Sequence, residues 1–148
     1  MSYKKLVLLV ICIMFACIIV IQPAMAKSSI HVTKMTMQFE GADAIFTLEY
    51  ELSPFSNLYV LFLGTQRLGG EVQEIFSGFD NENIELKKIG RKSAVVRVKD
   101  IATQSGGYYL IFSHELNADV DTLVVKFPGG TSRVYTDTAK TPNTFYEY

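Results

Sequence analysis

Residues 53–79 read SPFSNLYVLFLGTQRLGGEVQEIFSGF. This is the one part of the chain after residue 26 with a helical hydrophobic period, and strand-like alternation lies on both sides of it. Ser53 suits a helix N-cap, because its hydroxyl can accept from a free N–H of the first turn. Pro54 follows at the first helical position, where its missing N–H costs nothing. Phe55, Leu58, Tyr59, Val60, Leu61, Phe62 and Leu63 then make the segment apolar nearly all round, and such a helix is expected to be buried on most sides. The other reading of Leu58–Leu63 is a buried strand, since short apolar runs are ambiguous by period alone. The Ser-Pro start favours the helix.

Gly64 ends the run, and Gly69-Gly70 reads as a turn. Leu68, Val72, Ile75 and Phe76 fall at i, i+4, i+7 and i+8, one face of a second helix. Glu71 and Glu74 would then sit near its positive end, with Gly78 as C-cap. The run Leu58–Leu63 is far too short to span a bilayer, so core packing is the expectation for the pair.

Upstream, residues 30–39 alternate with a change of phase. Ile30 and Val32 face one way, and Met35, Met37 and Phe39 the other, so a bulge near Thr33-Lys34 is expected. Glu40-Gly41-Ala42-Asp43 is a turn. Residues 44–52 are the cleanest strand, with Ala44, Phe46, Leu48, Tyr50 and Leu52 inward. The two strands should form a hairpin with one wet face.

Downstream, a polar loop at 80–83 precedes a hairpin at 84–89 and 94–98 around Gly90-Arg91. Residues 101–107 read as a connection and 108–112 as an aromatic-rich strand. Residues 113–118 read as a loop and 123–127 as a strand closed by Pro128-Gly129-Gly130. Residues 133–136 make a short last strand. The fold expected is α+β: a mostly antiparallel sheet of about six strands packed against the central helical pair. A β-sandwich follows if Leu58–Leu63 is a strand.

Residues 1–26 have the form of a signal peptide or an N-terminal membrane anchor. Lys4 and Lys5 precede an apolar run from Leu6 to Ile21, and Pro23 and Ala24-Met25-Ala26 give a small-x-small cleavage site. The rest of the chain is then extracytoplasmic, either secreted or anchored by residues 6–21. Residues 27–136 form one globular domain and residues 137–148 a C-terminal tail. Both cysteines, Cys12 and Cys17, lie in the first segment. An exported domain without disulfides or thiolates must hold itself together by its core. Residues 27–148 carry 12 of the 14 basic and all 15 acidic residues, a net charge of −3. That balance excludes a bulk nucleic-acid binder.

Lys87, Lys88, Arg91, Lys92, Arg97 and Lys99 follow one another with no acidic residue between. Such a patch suits an anionic surface or an acidic cell-envelope partner. The simpler reading is a solvated face satisfied across strands by Glu49 and Glu51. Asn117, Asp119 and Asp121 have the spacing that opens a calcium loop, but Thr122 replaces its glycine and Pro128 its closing glutamate. No metal site and no cofactor are assigned. Ser113-His114-Glu115 is a triad in letters only, because neighbours on an extended strand point to opposite faces. No catalytic residue is assigned. A hydrolase would need a cleft in which His114 meets a carboxylate and a nucleophile. A carrier of a small apolar ligand would need a cavity lined by Tyr59, Phe62 and Phe76. Phe145, Tyr146 and Tyr148 either dock back on the core or add a strand to a neighbour.

The segments LYVLFLG (58–64), EIFSGFDN (74–81), GYYLIFSHEL (107–116) and TPNTFYEY (141–148) occur in this order. Together they resemble a group of small exported proteins of archaea, notably methanogens. The resemblance covers most of residues 27–148. It implies an exported location and brings no activity and no functional residue. The function expected is therefore a non-enzymatic cell-envelope module for binding or assembly, recognisable by an exposed sheet edge or an apolar surface patch.

Overall fold

Nine buried positions on the first two strands set the architecture. In a computed structural model, which describes residues 29–147, β1 (Ile30–Glu40) and β2 (Asp43–Leu52) pair antiparallel around a turn at Gly41-Ala42. Gly41 takes φ +62°, a backbone shape that glycine adopts without strain. The register shifts between Val32 and Lys34. This bulge turns the two phases of β1 onto one face, so Ile30, Val32, Met35, Met37 and Phe39 are all buried. Ala44, Phe46, Leu48 and Tyr50 of β2 share that face.

Two helices follow, α1 (Pro54–Leu63) and α2 (Gln66–Ile75). A short 3₁₀ turn, Asn81–Asn83, leads to β3 (Ile84–Ile89) and β4 (Ser93–Val98). Then come β5 (Ala102–Ser105), β6 (Tyr108–Ile111), β7 (Glu115–Lys126), β8 (Ser132–Lys140) and β9 (Thr144–Glu147). Six strands form the main sheet in the order β3-β4-β2-β1-β7-β8, and β5-β6-β9 form a second, small sheet. Every pairing is antiparallel except β1 with β7. The α+β class is thus observed, and Leu58–Leu63 lies in a helix, which removes the sandwich alternative.

One face of the main sheet carries the core. The Phe46 ring meets Phe76 at 5.0 Å and Phe79 at 6.0 Å, just beyond α2. On the same face Phe39 stacks on Tyr146 of β9 at 4.9 Å. So α2 covers one part of this face and the small sheet another. The opposite face, with Thr47, Glu49, Val95 and Arg97, is polar and partly wet.

Several local expectations are corrected. Gly69-Gly70 is not a turn, since both residues lie inside α2. A Cβ on Gly69 would sit 3.4 Å from the Leu86 side chain, so the missing side chain lets α2 approach β3. Glu71 is consequently mid-helix and Glu74 lies in the last turn, away from the positive end. The cap of α2 is Phe76 rather than Gly78. Residues 102–105, expected as connection, form β5. The loop expected at 113–118 ends early, because β7 already starts at Glu115 and runs unbroken to Lys126. The expected boundary at 136/137 falls within β8, where Asp137 takes φ +50° without ending the strand. Residues 1–28 and Tyr148 lie outside the described residues, and with them the segment expected as signal peptide or anchor.

Gly78 has a different task from the one expected. A Cβ there would fall 2.2 Å from the Glu115 carbonyl oxygen. Backbone cannot yield as a side-chain tip can. Gly78→Ala is therefore expected to cost about 2–3 kcal/mol by overpacking, read as a lowered denaturation midpoint in urea with an unchanged slope. A wild-type midpoint would mean that β7 does not press on residue 78.

Candidate functional site

Among the described residues, the three most exposed large apolar side chains, Phe55, Phe62 and Leu63, lie on one helix. The start of α1 forms as its residues dictate. The Ser56 N–H donates to Ser53 Oγ at 3.3 Å, Pro54 occupies the first turn, and the Asn57 N–H donates to the Ser53 carbonyl at 2.9 Å. Gly64 ends it at φ +83°, its N–H donating to the Val60 carbonyl at 3.0 Å.

Burial does not follow the expectation. Only Val60 of α1 is buried. Phe55 is 82 % exposed, Phe62 76 %, Leu63 66 %, Leu61 60 % and Leu58 54 %. Phe55, Leu58 and Phe62 fall at i, i+3 and i+7 and make one outward stripe. The physical reason lies in α2. Leu68, Val72 and Ile75 of α2, packed against β3 and β7, and Phe76 on Phe46 of β2 already close the core, which leaves α1 at its margin. No residue of α1 is charged. Contiguous exposed apolar patches are uncommon on soluble monomers, where apolar residues are usually exposed singly.

Polar ties hold α1 in place from outside. The Ser53 N–H donates to the Ser29 carbonyl at 3.0 Å, and Ser29 Oγ donates to Glu71 of α2. Arg91 Nη2 donates to Asn57 Oδ1 at 2.8 Å, and the Arg67 guanidinium lies 5.3 Å from the centre of the Tyr59 ring. Between the helices is a notch of about 200 Å³ lined by Phe55, Tyr59, Val60, Arg67, Leu68 and Glu71, among others. That is below the usual size of a small-molecule pocket. Phe62 points to solvent and Phe76 into the core, so the cavity expected of Tyr59, Phe62 and Phe76 together is not formed. A wider, open depression of about 840 Å³ adjoins α1 at Asn57, where Glu49 and Glu51 face Arg91 and Lys92.

The basic residues divide into two groups. Lys87 pairs with Glu85 at 2.8 Å, Lys99 with the same Glu85 at 3.7 Å, and Arg97 with Asp43 at 2.6 Å and Glu40 at 3.9 Å. Glu49 instead pairs with Lys34 at 3.3 Å. The acids that satisfy the hairpin are thus Asp43, Glu40 and Glu85, not Glu49 and Glu51. Lys88, Arg91 and Lys92 are exposed and have no carboxylate within ion-pair distance among the described residues. The one-letter run could not separate these groups, because the pairing acids lie on other strands or just ahead of it.

Of the aromatic end, Tyr146 docks. Its hydroxyl donates to the Gly41 carbonyl, and its ring packs on Phe39 and Tyr109. Burial pushes its phenol up to about 12, with the neighbouring Tyr109 adding to the shift. Phe145 points the other way, 64 % exposed beside Tyr108 on the edge strand of the small sheet.

Ser113, His114 and Glu115 do not converge. Ser113 Oγ donates to the Thr141 carbonyl, His114 Nδ1 lies 3.2 Å from the Gly78 carbonyl with its ring stacked on Phe79, and Glu115 is exposed. His31 engages a different partner, Asp121, at 3.0 Å. Asn117, Asp119 and Asp121 alternate along β7 rather than closing a loop. Among the described residues no three His, Cys, Asp or Glu side chains gather as a metal site requires, and no helix is long and apolar enough to cross a membrane. Comparison with protein-family models, curated proteins and solved structures finds no match to the chain.

Asp43 is the electrostatic node of the hairpin. Burial pushes its carboxyl up, but the Asp100 N–H at 3.0 Å and the Arg97 guanidinium outweigh this and hold it below the ordinary carboxylate range. In acid the unfolded chain therefore takes up this proton first. The stability from Asp43 is complete above the ordinary carboxylate pKa and is lost as pH falls through the depressed one. Asp43→Asn is expected to cost about 1–2 kcal/mol at neutral pH. The cost should shrink in acid denaturation series, and a pH-independent difference between the two proteins would contradict this account.

Proposed function

We propose that the chain is an exported cell-envelope module without catalytic activity, and that it binds through the outward face of α1. The observation that carries this reading is the exposure of Phe55, Leu58, Leu61, Phe62 and Leu63 on a helix that has no charge. Leaving such a surface in water is unfavourable by roughly 25 cal/mol per Å² relative to covering it. A covered state is therefore the functional one. Export is supported by the form of residues 1–26. The resemblance to small exported archaeal proteins points the same way. A hydrolase finds no support in the surroundings of His114, which are a carbonyl and a phenylalanine ring. A carrier finds little in a notch of about 200 Å³.

Native mass spectrometry of protein released gently from its own envelope tests the proposal. The wild-type chain is expected to carry an added mass, whether protein or lipid. The double variant Leu58→Glu, Phe62→Glu is expected to lose it while keeping its denaturation midpoint, because neither side chain belongs to the core. A bare wild-type monomer under these conditions would overturn the proposal.

A further inference from the structure

Resting on that reading of α1, we infer that its occupant is a lipid bilayer surface. The Phe55–Leu58–Phe62 stripe lies among headgroups and upper acyl chains, with Arg67 and Arg91 at the level of the phosphates. Three observations carry this.

The first is the composition of the face. Interfacial helices present Phe and Leu to the acyl boundary and need cations beside them at the headgroups. Here α1 supplies the apolar part and its neighbours the cations: Arg67 over Tyr59, and Arg91 on Asn57 with Lys92 next to it.

The second is an asymmetry of charge. Arg67, Arg91 and Lys92 carry no ion pair among the described residues, whereas Lys87, Arg97 and Lys99, further along the same hairpin, are matched with acids. The unmatched charge of the hairpin is thus concentrated at the α1 end. Glu49 is paired with Lys34, whereas Glu71, which is engaged only by the neutral Ser29 hydroxyl, and Glu51 of the adjoining depression keep their charge, so Arg67, Arg91 and Lys92 outweigh the local acids by one.

The third is where the preceding chain enters. The Ser29 carbonyl accepts from the N–H of Ser53, the N-cap of α1. The apolar run Leu6–Ile21 ends eight peptide steps earlier. At most about 3.6 Å per step, its end lies within roughly 29 Å of Ser29, which is bonded to the N-cap of α1. If that run sits in a bilayer, α1 is held at the same bilayer's surface.

The chain contains no tryptophan, so Phe62→Trp introduces a unique fluorophore at a position 76 % exposed. Val134→Trp does the same on β8, at the sheet edge furthest from β3 and 62 % exposed. The full chain of each variant is reconstituted with vesicles of phosphatidylcholine and phosphatidylglycerol in equal parts, with or without bromine on the acyl chains. Residue 62 is expected to emit at shorter wavelength and to be quenched by brominated lipid at least about twofold more than residue 134. Adding Arg67→Glu and Arg91→Glu should reduce that quenching, as should salt. Leu58→Trp repeats the reading one turn earlier and guards against a local effect of the substitution. Residue 62 shielded from iodide yet untouched by brominated lipid would mean that protein covers α1, overturning the lipid assignment and leaving the binding reading intact. Residue 62 as open to iodide as residue 134 would overturn both.

Discussion

The bulge between Val32 and Lys34 is the feature on which the rest of the structure depends. A strand that keeps strict alternation would send Ile30 and Val32 to one face and Met35, Met37 and Phe39 to the other. One extra residue brings all five to the same side. Because β1 lies inside the main sheet, between β2 and β7, its face sets the face of both neighbours. Every inward residue of β2, β4 and β7 then points at one layer of cover. The sheet becomes one-sided, and its other face can carry Lys34, Glu49, Asp43 and Arg97 in half-exposed ion pairs.

A one-sided sheet needs only one layer above it, and two different pieces of chain supply that layer. α2 contributes Leu68, Val72 and Ile75, followed by Phe76 and Phe79. The small sheet contributes Ala102 and Ile111, with Tyr146 packed at its margin. Once both are in place, no apolar surface is left for α1 to cover except around Val60. Its exposure is thus a consequence of how completely the core is closed without it. The tail takes part in that closure. β9 pairs with β6, and the Thr141 N–H donates to the His114 carbonyl while the His114 N–H donates to Thr141 Oγ1, so this segment locks the small sheet onto the start of β7.

Much of this was legible residue by residue. The inward sets of β1 and β2, the bulge, the α2 face and the cap of α1 all follow from side-chain period and turn chemistry, which are local properties. What was not legible depends on partners distant in sequence. The twelve residues of β7 mix Asn117, Asp119 and Asp121 with Leu116, Val120 and Leu123. Their polar half reads as loop until its place beside β1, in parallel, is known. Gly69-Gly70 reads as a turn because glycine is a poor helix former, yet packing against Leu86 selects it inside a helix. The exposure of α1 was hidden for the same reason. A fully apolar helix is usually interior, and only the completed account of what α2 buries shows that no interior remains for it. The six basic residues form one run in sequence and two groups in space, again because Asp43 and Glu40 come from another hairpin.

The attachment of α1 has an energetic consequence for what it can do. It is held by capping, by Ser29, by Asn57 with Arg91 and by Tyr59 with Arg67. These are mostly exposed polar contacts, each contributing about 1 kcal/mol or less. The exposed part of the five apolar side chains, from 54 % to 82 % of each, adds nothing to the stability of the fold. The burial free energy of that surface is therefore available to association. In most small domains the same side chains must serve both ends, and a better binding face weakens the core. Here the division falls at Gly64. The helix before it is given to the surface, and the helix after it to the interior.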